Sequence, residues 1–200
     1  MELIIKLMAL VFSIVFHEVA HGYAAYRLGD PTARDANRLT LNPLAHIDPV
    51  GSVLLPLILV FTNSPVLFGW AKPVPFNPGY FRNVKKGVMI VGAAGPAANL
   101  ALAAAAAALF RLFSPGGVIG LFLVHACIIN VILAVFNLIP IPPLDGSRIV
   151  VGFLPSDLAR SYLKLERFGF LIIFGLLWLG ALDRVIWPLA GLLLNSLLPR

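Results

Sequence analysis

The chain has 200 residues, 60% of them hydrophobic and only 12% charged, and its mean hydropathy is +0.93. A soluble domain is usually about 45–50% apolar and about 25% charged, so this composition excludes an ordinary soluble globule and belongs to a bilayer. The net charge of +6 does not argue for nucleic acid, because basic loops on an apolar chain are what the positive-inside rule produces.

A helix needs about 20 apolar residues to cross a membrane. Four segments qualify, at roughly 3–25, 88–110, 118–140 and 168–190. The first begins with Glu2 and Lys6 and carries a polar cluster where a signal peptide would have its small-residue cleavage site, so it is expected to stay attached. The apolar run 53–61 is too short to span alone, and Asn63-Ser64-Pro65 after it is a strong turn signal. Residues 69–76, Gly-Trp-Ala-Lys-Pro-Val-Pro-Phe, read either as an edge strand broken by prolines, able to pair with an extended substrate, or as an interfacial loop. In the second span Gly92, Gly95, Ala98 and Asn99 put small residues on one face, a pattern for close helix packing, with a direct part in catalysis as the alternative. His125 sits within the third span and reads as a hydrogen-bonded packing residue. Cys127 is the single cysteine, so no intrachain disulfide can form. Asp183-Arg184 interrupts the fourth span, whose tail has the option of lying along the surface.

Charge orients these spans. Arg27, Arg34, Arg38, Lys72, Arg82, Lys85 and Lys86 precede or open the second span, and Arg148, Arg160, Lys164 and Arg167 follow the third. Both regions are expected to face the cytoplasm, with both termini outside. The chain between Tyr26 and Gly87 must then cross an even number of times. Residues 53–70 therefore read as a re-entrant or interfacial hairpin, which is tolerated where protein or a water-filled cavity shelters its backbone. The expected fold is all-α: about four transmembrane helices plus that hairpin, in a single membrane-embedded domain over 1–200.

Near the cytoplasmic end of the first span stands His17-Glu18-Val19-Ala20-His21. Residues i and i+4 lie one turn apart on one helix face, so both imidazoles can reach one ion, and Glu18 beside them can take a proton from a metal-bound water. Ionisable groups inside a span are costly and rarely kept without a role, although a polar packing cluster or an ion-pathway lining would also place them there. A catalytic zinc needs a third protein ligand and an open fourth position. The residues after His21 supply no further histidine, and the next glutamate is Glu166, in a basic loop. Asp145 is the best candidate, in Asn137-Leu138-Ile139-Pro140-Ile141-Pro142-Pro143-Leu144-Asp145-Gly146, where prolines end the third span at about the depth of His21. The competing role for Asp145 is an N-cap on a short helix from Gly146 to Leu154.

These residues resemble the site-2 protease family of intramembrane metalloproteases. The family is marked by a His-Glu-x-x-His helix, a Gly-Pro-containing small-residue helix and an Asn-x-x-Pro…Leu-Asp-Gly segment. All three occur in order, the second as Gly95-Pro96-Ala97-Ala98-Asn99. Coverage runs from about His17 to Arg148. The resemblance implies zinc (Zn2+) held by His17, His21 and Asp145, catalysis by Glu18, and cleavage of membrane-embedded protein substrates near the cytoplasmic face of the plasma membrane. It also implies that Asn137 contacts the substrate or the developing oxyanion, where the bare sequence equally allows it to satisfy carbonyls at a helix end. No PDZ or CBS domain, as carried by larger members, is expected. His46 and Asp48 lie in a turn-rich stretch and are expected to order the loop, with a place over the metal as the alternative. Two rival functions remain at this level: a metal-ion transporter, and a non-catalytic relative that binds substrates without cutting them.

Overall fold

Residues 1–62, 64 and 69–198 are described in a computed structural model of the chain. Helix α1 (Glu2–Arg27) opens it, with Glu2 in the first turn and Arg27 in the last, each at the end of the helix dipole that favours its charge. A buried turn follows, in which Asp30, wholly enclosed, accepts from the Thr32 backbone and hydroxyl and from the Asn77 backbone N–H at 2.6 Å. This one carboxylate ties the end of α1 to the segment that precedes α4. A single helical turn, α2 (Thr32–Asp35), comes next.

Asp48 caps a π-helical turn, Pro49–Leu54, by accepting from Val50 and Gly51 N–H, and that turn runs on into α3 (Leu55–Phe61). Together they form an apolar helix about 20 Å long, well short of the roughly 30 Å hydrocarbon core. The first limb of the expected hairpin is therefore helical and starts at Pro49. Residues 63 and 65–68, which hold its turn signal and much of the return limb, lie outside the described residues.

The bundle proper is α4 (Val84–Phe113), α5 (Gly117–Asn137) and α1, each long and apolar enough to cross a membrane. Asn83 caps α4 through its side-chain oxygen on the Lys86 N–H. α4 is central, packed against α1, α5 and the later α6 (Asp145–Phe153). Small residues allow this: Ala103, Ala106 and Ala107 of α4 meet Ala126, Cys127 and Val131 of α5 in one core. Contacts of His21 with Val91 and of His17 with Asn99 make α1 and α4 antiparallel, while Ser13 with Asn130 makes α1 and α5 parallel in course. The chain between α1 and α4 thus starts and finishes at one end of the bundle, and α5 returns to that end.

α5 stops at Asn137, three residues before the limit read from hydropathy, because Pro140, Pro142 and Pro143 cannot continue the ladder. α6 then packs back against the first turns of α4, with Gly92 facing Arg148 and Gly152 facing Met89, and α7 (Ser156–Leu163) follows it. The fourth expected span is two helices rather than one, α8 (Glu166–Trp178) and α9 (Asp183–Leu197), bent by 79° about a turn with Gly180 at φ +65°. The described residues contain no strand. Residues 69–77 form an irregular strap, tied down by Trp70 N–H on Gly51 O (3.1 Å), Lys72 N–H on His46 O (2.9 Å) and Arg38 on Lys72 O (2.8 Å).

Candidate metal centre

His17 and His21 sit one turn apart on the face of α1 that packs against α4, and Gly95 makes this approach possible. A Cβ at Gly95 would lie 2.4 Å from His21 Nε2 and 2.6 Å from His17 Nε2, so any side chain there would push into the imidazoles. Each ring is fixed through its other nitrogen. His21 Nδ1 is 2.6 Å from the Val91 carbonyl oxygen, which can only accept, so that nitrogen carries a proton. His17 Nδ1 donates in the same way to Asn99 Oδ1 at 2.5 Å. Both Nε2 atoms then point at one spot with their lone pairs available.

Asp145 completes the group. The turn that delivers it requires Gly146, whose Cβ would collide with Leu138 O at 2.2 Å. Asp145 is the first residue of α6 and makes no cap bond; Leu144 occupies the cap position, so the capping role is set aside. Its Oδ2 lies 3.0 Å from His17 Nε2 and 3.1 Å from His21 Nε2, and the two Nε2 atoms are 3.0 Å apart. Its Oδ1 accepts from Arg148 Nη1 at 3.1 Å, and the Arg148 guanidinium in turn lies over the Phe76 ring. All three side chains are buried, at 5–7% exposure. Among the described residues this is the only set of three such donors close enough to share an ion.

The donor chemistry fits a cation. With both Nδ1 atoms donating, one extra proton could serve one of the three short contacts, and two would place imidazolium rings against each other at 3.0 Å. A single divalent ion satisfies all three lone pairs at once. Bonds of about 2.0–2.2 Å in a tetrahedron imply donor separations of about 3.3–3.6 Å, a few tenths wider than those present.

Glu18, half-buried, faces a different neighbour. Its Oε2 accepts the Val74 backbone N–H at 2.9 Å, so the strap lies over the Glu18 side of α1, with the Val74 side chain against Gly22. Asn137, in the last turn of α5, donates to Leu133 O at 3.0 Å. His46 is buried and contacts Thr40 O through Nε2, and Asp48 caps the π-helical turn, so both order the loop. His125 lies 3.7 Å from Glu2 Oε1 near the opposite end of the bundle, too far for a good hydrogen bond. The partners that sequence reasoning missed are Ser13 and Asn130, polar residues inside apolar spans, whose cost in that setting was the available signal; Asn99 was singled out for helix packing, not as a partner of His17.

An all-α bundle with membrane-spanning helices and a His-His-Asp group buried inside it defines a membrane-embedded metalloprotein. Residues 114–179 match the profile of peptidase family M50. YwhC of Bacillus subtilis, which bears the name of a candidate zinc metalloprotease, is 36% identical across 94% of this chain and 87% of its own length. Rip2 of Mycolicibacterium smegmatis, named in the same way, is 32% identical across 87% of this chain and 66% of its own. MJ0611 of Methanocaldococcus jannaschii shares 43% identity over a shorter stretch, 30% of this chain and 31% of its own length. No solved structure matches the chain. The chain belongs to peptidase family M50, the site-2 protease family.

Proposed function

We propose that the protein is an intramembrane zinc metalloprotease, acting as one catalytic unit over 1–200, with His17, His21 and Asp145 holding the ion and Glu18 as general base. The observation that carries this reading is the convergence of three buried lone-pair donors within about one hydrogen-bond length of each other, beside a carboxylate. The chemistry such an ion supplies when bound is Lewis-acid polarisation of a carbonyl and an acidified water.

The chain's own residues do the rest. Glu18 Oε1 has no partner among the described residues, while Oε2 is held by Val74. Oε1 takes the proton of the attacking water and passes it to the amine nitrogen as the peptide C–N bond breaks. Asn137 reaches the substrate or the developing oxyanion by exchanging Leu133 O for a substrate oxygen. The substrate is a membrane-embedded protein, in keeping with ligands set well inside a spanning helix. His21 is six residues from the end of α1, about 9 Å along it. The basic residues of the two loops at the site's end of the bundle favour the cytoplasmic side of the plasma membrane.

The test is zinc content and protease rate on purified, folded Asp145→Ala, beside His46→Ala and Asp48→Ala. Asp145→Ala is expected to lose most zinc and activity, the other two little of either. Zinc retained by Asp145→Ala and lost by one of the loop variants would overturn the ligand set.

A further inference from the structure

Behind His17 runs a chain of buried polar groups that crosses three helices. Asn99 Oδ1 faces His17 Nδ1, and Asn99 Nδ2 donates to Asn130 Oδ1 at 2.6 Å and to Ser13 O at 3.2 Å. Asn130 Nδ2 donates to Ser13 Oγ at 2.7 Å and to Ala126 O at 2.8 Å, and Ser13 Oγ donates to Ala9 O at 2.7 Å. Ser13, Asn99 and Asn130 are all at 0% exposure.

The direction of every bond in this chain is forced from its far end. The carbonyls of Ala9, Ala126 and Ser13 can only accept. Ala126 O therefore requires the amide nitrogen of Asn130 on its side, which turns Asn130 Oδ1 towards Asn99. That oxygen, with Ser13 O, requires the amide nitrogen of Asn99, which turns Asn99 Oδ1 towards His17. An oxygen there admits only a protonated Nδ1, and a neutral ring protonated at Nδ1 has its lone pair on Nε2, the atom that faces His21 and Asp145. Reversing either amide would set nitrogen against nitrogen or oxygen against oxygen in a dry interior, where an unpaired polar group is costly.

We infer that Asn130, on a helix that contributes no metal ligand, is a positioning residue for the metal centre: through Asn99 it sets which nitrogen of His17 is presented to the ion. The inference rests on the metal centre proposed above and extends it to α5. Outer partners of ligating histidines are typically worth about 10–100-fold in metal affinity.

Zinc affinity is to be measured by chelator competition on the detergent-purified full chain, with the ring tautomer of His17 read by nitrogen NMR on the zinc-free protein. Asn99→Leu, which removes the acceptor at similar volume, is expected to weaken zinc by about 10–100-fold. Asn130→Leu should weaken zinc by about 3–10-fold and let the second tautomer appear. Asn130→Ala, which adds no bulk to the small-residue core, gives the same tautomer readout should Asn130→Leu fail to fold. A purely structural network predicts otherwise: a single His17 tautomer in every variant, as in wild type. That result overturns the inference. If His17→Ala binds zinc as wild type does, the metal centre itself is wrong and this inference falls with it.

Discussion

The two sides of α1 around the His-Glu-x-x-His turn are closed by different kinds of structure. The histidine side meets α4, where Gly95 admits the rings and Val91 O and Asn99 hold them, all within a helical core. The glutamate side meets the strap, an irregular segment fixed by a few backbone bonds, in which Pro73 and Pro75 flank Val74. Ligands must stay at fixed distances whether or not substrate is present, and helix packing provides that. As the proposed base, Glu18 must exchange partners during turnover, and a single peptide N–H on an irregular segment can be given up at a lower cost than a helix–helix contact. The difference separates metal retention from rate, and substitutions on the two sides should divide accordingly.

The largest effect is expected at Glu18. Glu18→Gln keeps the side-chain shape and an oxygen for Val74 but removes the base. Proteolysis should fall by about 10²–10⁴-fold with zinc content unchanged. Metal analysis and a cleavage assay on the same preparation check this. Loss of zinc in that variant would erase the division between the two sides.

Gly95→Ala probes the histidine side alone. The new methyl would sit 2.4 Å from His21 Nε2, and the rings can withdraw only by leaving Val91 O and Asn99. Overpacking of this kind costs about 1–3 kcal/mol, which corresponds to a drop of about 5–150-fold in zinc affinity. Chelator competition reads it out. Unchanged affinity would mean that the rings are not fixed by α4.

The legibility of the sequence follows the same division. His17 and His21 were readable because helical spacing is a local rule, and Asp145 because its prolines end α5 and return the chain to the same end of the bundle. The roles of Asn99 and Asn130 were not, since they depend on the register of α4 and α5 against α1, which hydropathy does not set. Asp183-Arg184 signalled an interruption, but the break itself falls at 179–182 around Gly180, and it divides the fourth span into two helices. Residues 69–76 left strand and loop open because proline and β-formers alternate there; without a partner strand among the described residues, the loop prevails. The bond from Val74 to Glu18 comes from a backbone donor, which no side-chain identity can announce.

One trace of that bond is nevertheless in the sequence. Pro73 and Pro75 carry no N–H, so Val74 offers the only backbone donor between Lys72 and Phe76, and it is spent on Glu18. Val74→Pro deletes that donor, and the extended strap already holds prolines on both sides. A hydrogen bond to a charged group is worth about 1.5–3 kcal/mol when buried, and Glu18 is only half-buried, so the lower part of that range applies. Freed from Val74, the carboxylate samples other rotamers and is less often aligned for proton transfer. The protease rate should fall by about 3–10-fold, a change of about 0.7–1.4 kcal/mol in the barrier, while zinc affinity stays within about twofold of wild type, since no ligand or ligand partner is touched. Measuring both on one preparation decides the matter. A rate equal to wild type would show that the strap does not hold the base. A fall in zinc affinity matching the fall in rate would show that the two sides of α1 act as one unit, and the contrast drawn between them would not stand.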